Sequence, residues 1–251
     1  MISAQNPETI RSMFDRIAGR YDLANTVLSL GTHRFWKAKL VRMASRKLTG
    51  PASILDCATG TGDIAEIWSK RLARMGIARE SRIVATDFSE GMLEQARRRL
   101  EKERGRFPTF VRFEWADVQQ LSFPDGTFDR ATISFGIRNV ADPAKGLAEL
   151  GRVVKPGGEV WVLEFGQPSM PGFSQLYGFY SRRVLPAVGG VLSGARDAYR
   201  YLDESAGRFP CGEEFLKIAR GTGRFSDCSA IPLTGGVAYL YRLRRAEAAR
   251  P

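Results

Sequence analysis

Ser53-Ile54-Leu55-Asp56-Cys57-Ala58-Thr59-Gly60-Thr61-Gly62-Asp63 reads as a strand, a tight turn and the start of a helix. An apolar run enters an acid, passes through small residues with two glycines, and continues into Ile64-Ala65-Glu66-Ile67-Trp68, whose apolar side chains have helical spacing. Glycines at such a turn let the backbone approach a ligand without a Cβ in the way. The helix that follows presents free N–H groups and partial positive charge at its first turn. Asp56, at the carboxyl end of the strand, is placed to accept from polar groups of a ligand.

By itself the motif leaves alternatives open. Gly60-Thr61-Gly62-Asp63-Ile64-Ala65 fits the dinucleotide fingerprint, and a second strand, Arg82-Ile83-Val84-Ala85-Thr86-Asp87, ends in an acid at the distance where such folds hold a ribose hydroxyl. Spacing therefore indicates an adenosine-like ligand, with NAD and S-adenosylmethionine both allowed. A plain strand-to-helix turn is the structural alternative.

Outward from this point strands and helices alternate, which predicts βαβ units and a parallel sheet covered on both faces. Ser89 is set to cap a helix running to Leu100, with Met92, Leu93 and Ala96 toward the core. A third strand is expected over 109–116, ending at Asp117-Val118, and a fourth over 128–136 after the turn Phe123-Pro124-Asp125-Gly126-Thr127. A helix over 143–154, the turn Lys155-Pro156-Gly157-Gly158 and a fifth strand over 159–165 complete the pattern. Asp56, Asp87, Asp117, Ser134 and Glu164 then share the carboxyl edge, where open α/β sheets bind ligands.

Ahead of the first strand, residues 6–48 read as helices, with Phe35, Trp36, Leu40, Val41 and Met43 at apolar helical spacing. His33, the sole histidine, is expected at the surface or as a cap, with proton acceptance open to it. Residues 166–203 break the rhythm: Phe173, Tyr177, Phe179, Tyr180, Tyr199 and Tyr201 suggest either ordinary packing or an aromatic lid over a flat apolar ligand. A helix near 211–220 and a closing strand at 238–241 end the fold. One domain is expected, divided into a helical extension (1–48), a cofactor core (53–165), a lid insertion (166–210) and a closing helix with strands (211–251).

The chain has 251 residues, 43% hydrophobic and 26% charged, as ordinary globular proteins have. Its net charge of +11 draws it toward anionic surfaces, and Arg97, Arg98 and Arg99 form the densest cluster, read as a solvated helix face. Three scattered cysteines offer neither a disulfide framework nor metal-ligand spacing, so a reducing compartment is expected. The first residues lack a signal-peptide pattern and no apolar run nears the ~18 residues of a membrane span. A cytoplasmic protein, at most peripheral to a membrane, is expected.

Several stretches together resemble the S-adenosylmethionine-dependent C-methyltransferases of menaquinone and ubiquinone biosynthesis. They are Phe14-Asp15-Arg16-Ile17-Ala18-Gly19-Arg20-Tyr21-Asp22, His33-Arg34, Trp36-Lys37, the glycine loop, Phe123-Pro124-Asp125-Gly126-Thr127-Phe128-Asp129 and Thr132-Ile133-Ser134-Phe135-Gly136-Ile137-Arg138-Asn139-Val140. Leu163-Glu164-Phe165, Tyr199-Arg200-Tyr201-Leu202 and Leu233-Thr234-Gly235-Gly236 match as well. The glycine loop is generic among small-molecule methyltransferases, whereas the stretch from Ile133 to Asn139 is particular to this family. Ala58 stands where the general loop often has its first glycine.

The resemblance implies a doubly wound, Rossmann-like, seven-stranded, mostly parallel sheet, and S-adenosylmethionine rather than NAD. Carried onto matching positions, Gly60, Thr61 and Gly62 cradle the cofactor's amino-acid part and Asp56 supports that loop. Asp87 takes the ribose hydroxyls, Asp117 and Val118 the adenine, and Ser134 lies near the methionine moiety. Arg138 and Asn139 are expected to orient the acceptor's ring oxygen and stabilise phenolate charge. Tyr21, Tyr177 and Tyr201 are candidate substrate contacts. The implied acceptor is a prenylated quinone precursor, reached through transient contact with an anionic membrane surface. Another small hydrophobic acceptor is the alternative. A homodimer is left open, and no nucleic-acid partner is expected because no recognition module accompanies the charge.

Overall fold

The computed structural model describes residues 31–103, 105, 107–168 and 205–247. Five strands, β1 (Ser53–Cys57), β2 (Arg82–Asp87), β3 (Phe110–Trp115), β4 (Phe128–Ser134) and β5 (Val154–Phe165), pair in parallel. Two more, β6 (Phe225–Leu233) and β7 (Ala238–Arg245), add an antiparallel pair beside β5. The order across the sheet is β3-β2-β1-β4-β5-β7-β6. Chain direction across the sheet switches between β1 and β4, which leaves a crevice beyond their carboxyl ends.

Central parallel strands are covered on both faces and read as near-continuous apolar runs. All five residues of β1 are buried accordingly. Helices α1 (His33–Ala44), α2 (Asp63–Arg74) and α3 (Glu90–Lys102) enclose one core with Trp36, Leu40, Trp68, Leu93 and Phe113. On the other face α4 (Pro143–Val153) and α5 (Glu213–Gly221) enclose Phe128, Leu147, Phe215 and Tyr241. Helices α3 and α4 start where their sequences signal a start. The Ser89 hydroxyl accepts from the Met92 amide, and Asp142 accepts from the Lys145 amide ahead of Pro143.

Four expectations change. β5 begins at Val154, because Lys155-Pro156-Gly157-Gly158 is a bulge within the strand, between the pairs Phe128–Val154 and Arg130–Glu159. Phe35 faces outward, 65% exposed, instead of joining the core. Arg99 leaves the solvated arginine face: it pairs with Asp63 and Glu66 of α2, while Arg97 and Arg98 stay on the surface with Glu90 and Glu94. His33 is buried, and burial together with the Lys37 cation pushes its imidazole down to about 4. It is therefore neutral at physiological pH and a weak proton acceptor.

Lys37 meets Asp63 at 2.9 Å, so the first turn of α2 holds a carboxylate between two cations from neighbouring helices. Burial pushes the Asp63 carboxyl up, and Lys37 and Arg99 more than offset it, holding it well below the ordinary carboxylate range.

Candidate active site

The loop after β1 is built from left-handed residues: Ala58 at φ 50°, Gly60 at φ 58° and Gly62 at φ 85°. Glycine takes these angles freely, whereas alanine there is strained by about 1–2 kcal/mol. The loop is fixed from three sides. The Thr59 amide donates to the Thr86 carbonyl (3.0 Å), the Gly62 amide to the Thr59 carbonyl (3.0 Å), and the Gly60 amide to Asp87 Oδ2 (2.8 Å).

Asp56 lies beneath the loop, fully buried, and accepts from the hydroxyls of Thr59 (2.6 Å) and Thr132 (2.7 Å). Burial, only partly offset by those two hydroxyls, raises its carboxyl to about 7. The native state thus holds this proton more tightly than the unfolded chain, and folding stability falls as pH rises from about 4 through about 7. Asp56→Asn should keep the fold and lose that part of the slope, gaining at most about 4 kcal/mol above pH 7. Urea melts of both proteins from pH 4 to 8 check this. Parallel stability curves would contradict it.

Asp87 occupies a different level. Cys57, the last residue of β1, pairs with Thr86, so Asp87 projects past the end of β1. Its Oδ1 accepts from the Ser89 amide (2.9 Å) and its Oδ2 from the Gly60 amide. A carboxylate offers about four acceptor positions, more than these two amides fill.

A cleft of about 920 Å³, open to solvent, lies over these strand ends. Of the expected residues it gathers Gly60, Asp87, Asp117, Val118 and Asn139. Asp117 Oδ1 accepts from the Gln119 amide (2.9 Å), which shapes the turn that carries Val118. Phe88, Met92, Phe135 and Val140 supply apolar walls suited to a flat base and an aliphatic chain. Phe88 is held by Trp115, whose indole Nε1 donates to the Phe88 carbonyl (2.9 Å) with the rings 5.6 Å apart.

The other expected residues support the cleft from behind. Asp56 has no face on it. The Gly62 Cα points toward α3 and β3, where a Cβ would stand 3.0 Å from the Phe113 ring, so this glycine permits close helix–sheet packing. Thr61 is buried beside it. Ser134 ends β4, and its Oγ is buried without a hydrogen-bond partner among the described residues. The next residue, Phe135, is the one that reaches the cleft.

Arg138 departs furthest from expectation. Its side chain is fully buried, and Nη1 donates to Glu164 Oε1 (2.7 Å) and to the Phe135 carbonyl (2.8 Å). The guanidinium lies 5.4 Å from the centre of the Phe165 ring. Glu164 also accepts from the Arg138 amide (3.3 Å) and the Phe165 amide (2.9 Å). Arg138 thus braces the segment after β4 from below, whereas Asn139 sits on the cleft wall. Tyr21, Tyr177 and Tyr201 fall outside the described residues, as does most of the expected lid.

Sequence reasoning passed over Phe88, Phe135 and Gly136. Phe88 follows Asp87 directly, a usable signal. Phe135 adopts φ 56°, and nothing in an isolated phenylalanine announces a left-handed turn.

The donor set fits S-adenosylmethionine. Asp87 offers acceptors for vicinal hydroxyls, the apolar walls fit an adenine, and two cleft-lining segments approach closely, since a Cβ on Gly136 would stand only 2.4 Å from the Ala58 Cβ.

Residues 2–243 match the model of the ubiE/COQ5 methyltransferase family. The chain is 46% identical over 237 residues to the ubiquinone/menaquinone biosynthesis C-methyltransferase UbiE of Bdellovibrio bacteriovorus, covering 94% of this chain and 96% of that protein. It is 45% identical over 229 residues to the demethylmenaquinone methyltransferase of Thermus thermophilus, with 91% and 98% covered. In fold it is similar to an S-adenosylmethionine-dependent methyltransferase of Thermotoga maritima, with a TM-score of 0.58, 21% identity, and coverage of 93% and 98%. It is also similar to the phosphoethanolamine N-methyltransferase 2 of Haemonchus contortus in complex with S-adenosyl-L-methionine, with a TM-score of 0.56, 16% identity, and coverage of 84% and 52%.

Proposed function

The chain belongs to the ubiE/COQ5 methyltransferase family, and from that membership we propose that it methylates a ring carbon of a prenylated hydroquinone precursor, such as demethylmenaquinol, in quinone biosynthesis. Membership also decides between the two adenosine-like ligands that the glycine loop left open. The protein is an S-adenosylmethionine-dependent methyltransferase. The observation that carries this reading is the cleft at the switch point, lined by Asp87 and Asn139 among others.

When bound, S-adenosylmethionine supplies an electrophilic methyl group on a sulfonium. The chain's residues hold and align the two reactants. Asp87 accepts from the ribose hydroxyls, and Val118 with Phe88 and Met92 packs the adenine. Asn139 orients the acceptor's ring oxygen so that its electron density reaches the ring carbon, and the ring proton is lost afterwards to water. His33, buried and a weak proton acceptor, is not among the residues lining the cleft. Much of the acceleration comes from holding two reactants in line in a cleft with apolar walls. Arg138 contributes as a positioning residue, through the segment that carries Phe135 and Asn139. Tyr21, Tyr177 and Tyr201 complete the acceptor pocket in this reading. The acceptor's isoprenoid tail places the reaction beside an anionic membrane surface, to which a chain of net charge +11 is drawn.

Mass spectrometry of quinones from a deletion strain tests the function. Accumulation of a species one methyl short, restored by this chain, is the expected outcome, and an unchanged quinone pool refutes it. At the cofactor, Asp87→Asn removes charge-assisted hydrogen bonds and should weaken S-adenosylmethionine binding about 10- to 100-fold by calorimetry. Unchanged affinity would remove Asp87 from the site.

A further inference from the structure

Among the described residues, the outer face of α1 takes no part in the core or the cleft. Arg34, Phe35, Ala38 and Arg42 are exposed along it, Lys39 is half-exposed, and Arg46 and Lys47 follow. At 100° per residue, positions 34, 38, 42, 35 and 39 fall within one arc of about 140°. The opposite side buries Trp36, Lys37, Leu40, Val41 and Ala44.

Two features set this face apart. No acid occurs between Gly31 and Leu55. Elsewhere several surface cations are paired with acids: Arg97 with Glu90, Arg98 with Glu94, Lys217 with Glu214 and Arg220 with Glu213. Among the described residues, Arg34, Lys39, Arg42, Arg46 and Lys47 have no ion pair. Within this uncompensated arc stands Phe35, 65% exposed, one of three large apolar side chains so exposed among the described residues.

The helix is also placed to serve the cleft. Trp36, next to Phe35, donates from Nε1 to Thr234 Oγ1 (3.1 Å) and packs its ring against Phe135 and Phe165, at the carboxyl edge. The far end of α1 meets β4 near its start, where Arg130 Nε donates to the Ala44 carbonyl (3.0 Å). Phe35 therefore lies toward the edge of the sheet where the cleft opens.

We propose that the outer face of α1 is a membrane-docking surface, with Arg34, Lys39, Arg42, Arg46 and Lys47 on anionic lipid headgroups and the Phe35 ring in the interfacial layer. It rests on the prenylated acceptor proposed above, which favours a bilayer over a nucleic acid as the anionic partner. Cations attract the headgroups and an aromatic ring anchors at their level. No helix among the described residues is long and apolar enough to cross a membrane.

The full chain is sedimented with phosphatidylcholine vesicles, with and without phosphatidylglycerol, at low and high salt. Binding is expected only with phosphatidylglycerol and is weakened by salt. Lys39→Glu/Arg42→Glu should lower it on the order of 100-fold, and Phe35→Ser about 10-fold. The equal charge change Arg97→Glu/Arg98→Glu, on α3, should have a much smaller effect. S-adenosylmethionine affinity and turnover of a short-tailed, water-soluble quinol should stay at the wild-type level in all of them, which shows that each folds. Equal losses from the α1 and α3 reversals overturn the proposal, as does binding independent of phosphatidylglycerol. A tRNA gel shift lost in the α1 variants while vesicle binding is absent also overturns it. Failure of the proposed function reads differently: no quinol is methylated by any protein, whatever the vesicle result.

Discussion

Glu164→Gln is expected to lower folding stability by about 3–5 kcal/mol, because it breaks a buried ion pair by removing the charge that Arg138 Nη1 meets at 2.7 Å. The side chains of the two residues are 0% and 1% exposed, so water does not take over the lost interaction. The damage should reach the cofactor. Arg138 Nη1 also holds the Phe135 carbonyl, and Phe135, Gly136 and Asn139 line the cleft. Chemical denaturation and calorimetric titration of the same variant should both show the loss. The double variant Glu164→Gln/Arg138→Met removes both charges and should recover most of the stability, since replacing a whole buried pair is far less harmful than breaking it. It also separates two roles for Arg138. A direct partner of the ring oxygen would leave the double variant stable with kcat abolished. A positioning residue predicts that kcat and cofactor affinity move together and recover only in part, because Met cannot donate to the Phe135 carbonyl, and this second outcome is the one the geometry supports.

Gly136→Ala should weaken S-adenosylmethionine binding at least 10- to 100-fold and cost about 1–3 kcal/mol of stability. The added Cβ would stand 2.4 Å from the Ala58 Cβ, and neither atom belongs to a flexible chain that could swing away. One backbone has to move, and both segments line the cleft. The loop after β1 is already strained at Ala58, φ 50°, so further displacement there is resisted. Ala58→Gly removes both the opposing methyl and the left-handed strain. By itself it should be close to neutral, since the relief of strain and the entropy of an added glycine are both about 1 kcal/mol. Combined with Gly136→Ala it should restore cofactor binding. Calorimetry and thermal melts of the four proteins form the cycle, and a double variant no better than Gly136→Ala would disprove the contact.

The difference between Asp56 and Asp87 shows how far sequence could be read. Both are acids at the ends of apolar strands, and the residues alone offer both to the ligand, while the family resemblance assigns Asp56 to the support of the loop. Asp56 pairs across the sheet with Ala85 and Thr132, one level inside the strand ends, so it is sealed under the loop and bound by hydroxyls. Asp87 lies two residues further along the neighbouring strand and clears the end of β1. Relative strand register decides this, and register depends on partners distant in sequence. The same holds for Arg138. Its charge and its place after β4 are legible, but Glu164 lies 26 residues away, and only the pairing of β4 with β5 brings the two together.

By itself the sequence determined the alternation of elements, the carboxyl edge as the ligand edge, the glycine loop and, through the stretch from Ile133 to Asn139, the family. These are local signals: apolar periodicity, caps, turn residues and a motif of adjacent residues. Tertiary structure alone decided which acids face the cleft and which brace it, that Arg138 is spent on Glu164, that His33 is buried and neutral, and that α1 turns Phe35 and its cations outward. Each of those depends on burial and on long-range partners, and the free energy of a charge or a ring is set by what surrounds it.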